Sequence, residues 1–379
     1  MAIVKLGDIA IEAKSSNKGD KTGIRIVGLE HLTPLNVTLL SWSEDTENTF
    51  TKEFSKGDVL FGRRRAYLKK AAVAPFDGIC SGDITVIRAI EDKVDPDLLP
   101  FIIQNDFLFD FAVGKSAGSL SPRVKWTHLK EFAIELPSMP EQSKLAETLW
   151  SINETKNAYE ELINKTDELV KSQFIEMFDR PEYERVKFKK ISTLFADGDW
   201  IEIKDQSNDG IRLVQTGNIG NGYYIDKEAH SRYVSEETFL RLNCTEILPG
   251  DILISRLPDP VGRGCILPDG IGKAITAVDC TIVRLMDMVE PEYLIGFTQT
   301  DLYRSQIESA KTGTTRKRIS RKNLEKVLIP VPPIEKQMVF VELIKESDKS
   351  KFALQEAIKD LDTLSKKIIA ENLIPVGKE

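Results

Sequence analysis

Apolar and polar positions along the chain alternate between two regimes, and the alternation occurs twice. Up to about residue 138, and again over about 182–332, apolar residues come in short β-branched runs such as 82–90 and 279–285. Gly and Pro break these runs, and short helical pieces are predicted at 96–111 and 291–309. That is the pattern of a mixed α/β domain. Over 141–179 and 335–372 there is no Pro or Gly, and helix formers dominate. Pro140 and Pro333 stand where the first turn of a helix tolerates a missing N–H. A stripe with alternating 4/3 spacing runs through Leu145, Leu149, Ile152, Lys156, Tyr159, Ile163, Thr166, Val170, Gln173 and Met177. The second segment repeats it as Ile344, Ser347, Lys351, Leu354, Ile358, Leu361, Ser365, Ile368 and Asn372. This is a heptad seam with a Lys at the same register in both copies. Leu162, Leu169, Leu343 and Leu364 broaden it. Each helix of roughly 38 residues would be about 57 Å long, more than a small-domain core needs.

Matches between the halves extend beyond the helices. Gly57-Asp58-Val59-Leu60 corresponds to Gly250-Asp251-Ile252-Leu253, and 83–88 (DITVIR) to 279–284 (DCTIVR). Residues 95–99 correspond to 290–294, 136–142 (LPSMPEQ) to 331–337 (VPPIEKQ), 24–27 to 211–214, and 4–5 to 186–187. Six matches in one order, at an offset near 195 that drifts as surface-loop insertions would make it drift, indicate a duplication. A heptad seam can pair two chains or the two copies within one chain. The second is favoured, because a duplicated chain supplies its own partner at high effective concentration. Equivalent helices that pair in this way are related by a pseudo-two-fold axis and run antiparallel. The predicted organisation is a first domain over 1–138, a spacer helix over 139–179, a second domain over 180–332, and a helix with tail over 333–379.

Composition narrows the function. The chain has 379 residues, 41% hydrophobic and 29% charged, which excludes a mostly disordered protein. A net charge of −7 counts against a simple basic DNA-coating protein. That charge is concentrated, however. Residues 141–179 hold nine acids against four bases, and 335–372 eight against seven, so the helices carry nearly all of the excess. Cys80, Cys244, Cys265 and Cys280 lie far apart and are expected to be buried reduced thiols. His31, His128 and His230 lack metal-ligand spacing. With no apolar run of membrane length and no apolar leader-type segment, a cytoplasmic protein is expected.

Positive charge clusters in the globular parts. Residues 61–70 contain Arg63, Arg64, Arg65, Lys69 and Lys70. Residues 311–322 contain Lys311, Thr312, Thr314, Thr315, Arg316, Lys317, Arg318, Arg321 and Lys322. Their first-half counterpart, 114–125, contains Lys115, Ser116, Ser119, Ser121, Arg123 and Lys125. Gly-bearing loops with hydroxyls and guanidinium groups suit DNA, since N–H and hydroxyl groups grip phosphate and Arg forks read guanine. A solvated charge run explains either loop alone, but their matching positions in a repeat favour DNA contact. Arg316, Arg318 and Arg64 are candidate base readers, and Lys70, Lys115, Lys311 and Lys317 candidate phosphate contacts. Arg256 joins the set, as do Gln215, Thr216 and Asn218 at a strand end, which turn chemistry explains nearly as well.

The G-D-[VI]-L strand start, the Gly/Ser/Thr/Arg loop, the apolar-Pro-x-x-[PE]-x-Q punctuation and the long helix, all present twice, resemble the specificity subunit of type I restriction-modification systems. The resemblance covers essentially the whole chain; Ile334-Glu335-Lys336-Gln337 departs slightly from the usual Pro-Glu-Gln. It implies two α/β target recognition domains joined by two antiparallel coiled-coil helices. Each domain would read one half of a bipartite double-stranded DNA site, with the helices as a ruler for the spacer. It further implies a subunit with no catalysis and no cofactor of its own that docks two methyltransferase subunits. Restriction subunits would join that core, and S-adenosylmethionine, ATP and Mg²⁺ would belong to the partners.

The residues agree with the absence of catalysis. No [DN]-P-P-[YF] methylase motif occurs, and Ala112–Ser116 lacks the first Gly of a P-loop. Asp77 with Glu91-Asp92-Lys93 could pass for a Mg²⁺-nuclease core, but its place at a strand-to-helix turn reads as solvated. An autonomous nuclease and a coiled-coil adaptor without DNA are the competing readings.

Overall fold

The computed structural model describes residues 2–44, 47–258, 260–313 and 317–376. The chain forms two compact units, residues 1–160 with 355–379, and residues 161–354. Each unit takes in part of each long helix, Met139–Phe178 and Ile334–Asn372. No helix among the described residues is long and apolar enough to cross a membrane.

In the first unit the strands are β1 (Ala2–Lys5), β2 (Ala10–Glu12), β3 (Arg25–Val27), β4 (Lys52–Phe54), β5 (Val59–Gly62), β6 (Ala71–Val73), β7 (Gly78–Cys80), β8 (Ile84–Ala89) and β9 (Ala133–Leu136). An antiparallel sheet is ordered β2-β8-β5-β6, a small mixed sheet β3-β7-β4, and β1 pairs with β9. The run Val59-Leu60-Phe61 is apolar throughout because both faces of its strand are covered. Val59 and Phe61 face one core with Ile87, Phe101 and Phe109, whereas Leu60 faces another with Val27, Phe54 and Val86.

The second unit repeats the plan with β10 (Arg185–Lys187), β11 (Ser192–Asp197), β12 (Ile211–Val214), β13 (Tyr233–Val234), β14 (Ile252–Ser255), β15 (Gly264–Ile266), β16 (Ala274–Thr276), β17 (Cys280–Leu285) and β18 (Leu328–Pro330). The order β11-β17-β14-β15 mirrors the first sheet, and β10 pairs with β18. The small sheet differs. In the first unit the third strand adds to β7, and in the second it adds to β12.

The motif residues that announce the repeat are structural. Gly57 and Gly250 adopt φ +90° and +87°, the left-handed turn that precedes the strand. The Asp that follows is 2% exposed in both copies. Asp58 accepts from Ser55 N at 2.7 Å and takes the Arg88 fork, Nε and Nη2 both at 2.7 Å. Asp251 accepts from Leu248 N and the Arg284 fork, all at 2.8 Å. Buried Gln142 and Gln337 end the Pro-rich punctuation, and each satisfies backbone groups on both sides, with Gln337 also donating to Met288 O at 2.9 Å. Gln142 accepts from Asp95 N and donates to Pro137 O; Gln337 accepts from Glu290 N and donates to Pro332 O, all at 2.9 Å.

The helical pieces expected at 96–111 and 291–309 are each broken. The first becomes Leu99–Ile103 and Asp106–Gly114, because Asn105 caps the second piece through Phe107 N at 2.9 Å. The second becomes Pro291–Thr298 and Asp301–Ala310, with Thr300 as the cap.

Within each unit the two long helices pack with residue numbers rising on one as they fall on the other. In the first unit Ala146 and Leu149 share a core with Ile369 and Leu373, and Lys156 Nζ lies 2.7 Å from Asp362 Oδ1. In the second, Phe174 and Phe178 pack with Phe340 and Val341, and Lys351 Nζ lies 2.8 Å from Asp167 Oδ1. Beyond the second helix, Glu135 N donates to Ile374 O and Val376 N to Ala133 O, which extends the edge of β9.

Candidate nucleic-acid interface

In the first unit the two basic strings, far apart in sequence, form one cluster. Arg63 follows β5; its N–H donates to Asp83 O, and its carbonyl accepts from Val124 N, both at 3.0 Å. Arg65 N donates to Pro122 O at 2.8 Å. The loop closes as a hairpin, with Ala117 and Arg123 exchanging backbone bonds at 3.1 and 2.9 Å and Gly118 supplying the left-handed turn. Asp83 pins the hairpin. Arg123 Nε reaches it at 2.6 Å and Arg64 Nη1 at 3.5 Å, while Arg64 Nε donates to Ser121 Oγ at 2.7 Å. The Arg123 hydrogen bond holds the Asp83 carboxyl below the usual aspartate range.

The remaining candidates in this unit divide into exposed and committed groups. Arg65, Lys115, Ser119 and Lys125 are exposed, with Lys115 Nζ 5.7 Å from the Phe111 ring centroid. Leu120, at the tip, is 90% exposed. Ser116 Oγ donates to Ala112 O at 2.7 Å, Lys69 pairs with Asp106, and Lys70 Nζ donates to Leu29 O at 2.7 Å. Arg65 and Lys69 bracket the turn Ala66–Leu68 in left-handed conformations, φ 55° and 51°. Strain of this kind persists only where surrounding structure holds it.

The second unit builds the same frame from counterpart residues. Arg256 N donates to Asp279 O at 2.9 Å, and Arg256 O accepts from Ile319 N at 3.2 Å. Thr312 and Arg318 exchange backbone bonds, both at 2.9 Å. Thr312, Lys317 and Arg318 are exposed, and Lys311 pairs with Glu308. Thr314, Thr315 and Arg316 lie outside the described residues. Arg256 turns inward, toward Val278 O and Asp197, and Arg321 meets the same Asp197 at 3.3 Å. Gln215 and Thr216 are half-buried. Asn218 is buried, its Oδ1 accepting from Gln215 N and its Nδ2 donating to Ile225 O, both at 3.0 Å, so turn chemistry accounts for it.

Sequence reasoning missed Arg263. Its guanidinium is buried and donates to Ile219 O at 2.7 Å, Thr216 O at 2.8 Å, Leu257 O at 3.0 Å and Pro260 O at 3.1 Å. It thereby ties the 216–219 turn to the loop after Arg256. Its counterpart at offset 193 is Lys70, whose bond to Leu29 O does the same work with one donor. The repeat offset was the available signal, obscured by the Lys-to-Arg difference.

No group of three or more His, Cys, Asp or Glu among the described residues could hold a metal ion. Glu91, Asp92 and Lys93 form an exposed turn, and Asp77 Oδ1 accepts from Lys56 N at 2.7 Å. The four cysteines are free and buried; burial pushes Cys80, Cys265 and Cys280 up to about 12 and Cys244 to about 11. Such thiols are inert at neutral pH. The cluster therefore presents guanidinium, ammonium, hydroxyl and one apolar tip on a pinned hairpin, groups that bind rather than react.

Comparison with known proteins agrees with the duplication. The type I restriction modification DNA specificity domain matches residues 1–169 and again 182–361. A type I restriction enzyme specificity subunit of Methanocaldococcus jannaschii, MjaX, is 23% identical over 388 aligned residues, covering 95% of this chain and 88% of that protein. A chain from a structure of the complex assembly and conformational transition of the type I R-M system shares the fold with a TM-score of 0.60. It is 21% identical, covering 98% of this chain and 97% of that one. The type I restriction-modification S subunit from M. genitalium gives a TM-score of 0.52 at 13% identity, covering 98% and 96%.

Proposed function

This chain belongs to the type I restriction modification DNA specificity family, and from that premise we propose how its two units divide the work. Proteins of this family are the non-catalytic specificity subunits of their enzymes, and the chain is a DNA sequence-recognition subunit. Each unit reads one half of a bipartite duplex site through its pinned loop, the hairpin 117–123 in the first unit and the loop closed by Thr312 and Arg318 in the second. The observation that carries this reading is the matched pinning. Arg63 with Val124 and Arg256 with Ile319 hold the two hairpins by the same backbone bonds, while the side chains they present differ. A constant frame with variable side chains suits base readout, which depends on what reaches the groove edge.

The long helices act in this reading as an antiparallel coiled-coil ruler about a pseudo-two-fold axis. The exchanged ion pairs support it. Adding 195 to Lys156 gives Lys351, and subtracting 195 from its partner Asp362 gives Asp167, the partner of Lys351. A two-fold interface makes such reciprocal contacts. The chain docks two methyltransferase subunits, restriction subunits complete the enzyme, and S-adenosylmethionine, ATP and Mg²⁺ are bound by those partners.

The test is duplex binding by the full chain with its methyltransferase subunits. Sequence-specific affinity for a split site, falling steeply with salt, is the expected result. Equal affinity for all duplexes overturns the reading. Inserting four residues near Lys156 lengthens a helix by about 6 Å and should shift the preferred spacer by about two base pairs; an unchanged spacer removes the helix as ruler.

A further inference from the structure

We propose that the second unit contains a phosphate seat walled by Arg212, Lys227, His230 and Arg232. These residues line a cavity of about 230 Å³. Every ionisable side chain in its described lining is of the basic type. Arg212, on β12, is only 8% exposed, yet its Nε–H has no hydrogen-bond partner among the described residues. Its Nη2 meets the exposed Asp226 at 3.1 Å, so one donor of the fork is served and another is left. A buried guanidinium with an unmet donor is costly unless an acceptor arrives. An oxyanion supplies that acceptor and the charge together.

The walls are held in place before any ligand binds. Arg263 fixes the 216–219 turn through Thr216 O and Ile219 O. Gly217 leaves room for the ammonium of Lys227, since a Cβ there would lie 3.1 Å from Lys227 Nζ. Among the described residues the first unit shows no equivalent. Arg25, the counterpart of Arg212, lies 4.5 Å from the Phe76 ring centroid and 5.1 Å from that of Trp42, in a cavity whose lining includes Glu44, Glu53 and Asp77. Among the described residues the seat is therefore found in the second unit. Its ligand is a phosphate group, from the DNA backbone or from a free phosphate-bearing molecule; the first source rests on the specificity reading above.

Two measurements on the full chain decide it, comparing K227Q/R232Q, which changes exposed side chains, with K345Q/K349Q on the second long helix as control. Titration with inorganic phosphate should saturate in the unsubstituted chain and in the control, and fail in K227Q/R232Q. The salt dependence of duplex affinity, measured with the methyltransferase subunits present, should become shallower by about 0.9 in log–log slope for each DNA phosphate no longer neutralised, in K227Q/R232Q only. Abolished phosphate binding with an unchanged slope assigns the seat to a free phosphate-bearing molecule. No saturable phosphate binding together with an unchanged slope overturns the seat, as does an equal loss in the control. If the unsubstituted complex shows no salt-dependent DNA affinity, the specificity reading fails, while the phosphate titration still decides the seat.

Discussion

Arg25 and Arg212 occupy the same strand position in the two units and keep different company. The first lies over Phe76 and Trp42; the second is buried, with Asp226 at 3.1 Å and the Tyr233 ring centroid at 5.7 Å. A few residues away, Asp58 with Arg88 and Asp251 with Arg284 are the same fork twice. The difference separates two kinds of constraint. The Asp forks and the Gln after each Pro-rich turn stay alike, because any change there leaves a buried polar group without a partner. Residues that face outward from the pinned frame are free to differ, and in the proposed reading that is where the two halves acquire separate targets.

Substitutions at matched positions of the two units test this division. The largest effect is expected where the units anchor the helices differently. The second unit uses an aromatic cluster of Phe174, Phe178, Tyr293 and Phe340, and the first uses Ala146, Leu149, Ile369 and Leu373. Phe174→Ala should cost about 3–5 kcal/mol, and Leu149→Ala about 2–5 kcal/mol. Denaturant unfolding should show each loss in its own unit. One shared transition shifted equally by both substitutions would contradict independent anchoring.

The Asp forks come next. Asp58→Ala and Asp251→Ala should each cost about 2–4 kcal/mol, below the fully buried case because the guanidinium groups are partly exposed. Equal losses support the shared frame, and a twofold difference counts against it. Gln142→Ala strands an N–H and a carbonyl, and Gln337→Ala an N–H and two carbonyls, each for about 1–3 kcal/mol. Hydrogen exchange at Asp95 N and Glu290 N reads this locally.

The smallest effect is pH dependence. The Asp83 carboxyl is held below its ordinary value by Arg123. The stabilisation it gives is therefore full above that ordinary value and disappears as the pH falls through the lowered one. Arg318 makes no such ion pair among the described residues. The protection of the Ala117 and Arg123 amides, relative to their intrinsic exchange rates, should fall on acidification below pH 4, while that of Thr312 and Arg318 changes less. An equal loss of protection in both hairpins would remove Asp83 as the pin.

The duplication was legible because its signals, a buried Asp after Gly and a Gln after a Pro-rich turn, are residues the fold cannot replace cheaply. The long helices were legible from their unbroken heptad stripe. Their anchors were not. Phe174 and Phe178 lie off the stripe, one residue beyond Gln173 and Met177, because near this end the helix packs against the core of the unit as well as its partner helix. The helix breaks at Asn105 and Thr300 were missed because capping residues look like ordinary polar positions inside an apolar pattern. Among the site residues, clustering was legible and direction was not. Lys70 belongs to a basic string and Arg256 stands apart from one, yet both donate to backbone carbonyls that no spacing rule locates.

That each hairpin reads its own half of the target can be put to one decisive experiment. Residues 117–123 are exchanged for the hairpin of another specificity subunit, and the methylated sites of a host carrying the complete system are sequenced. The predicted result is a methylated site in which one half changes while the other half and the spacer stay as they were. A change in both halves, or in neither, would contradict separate readout by the two hairpins.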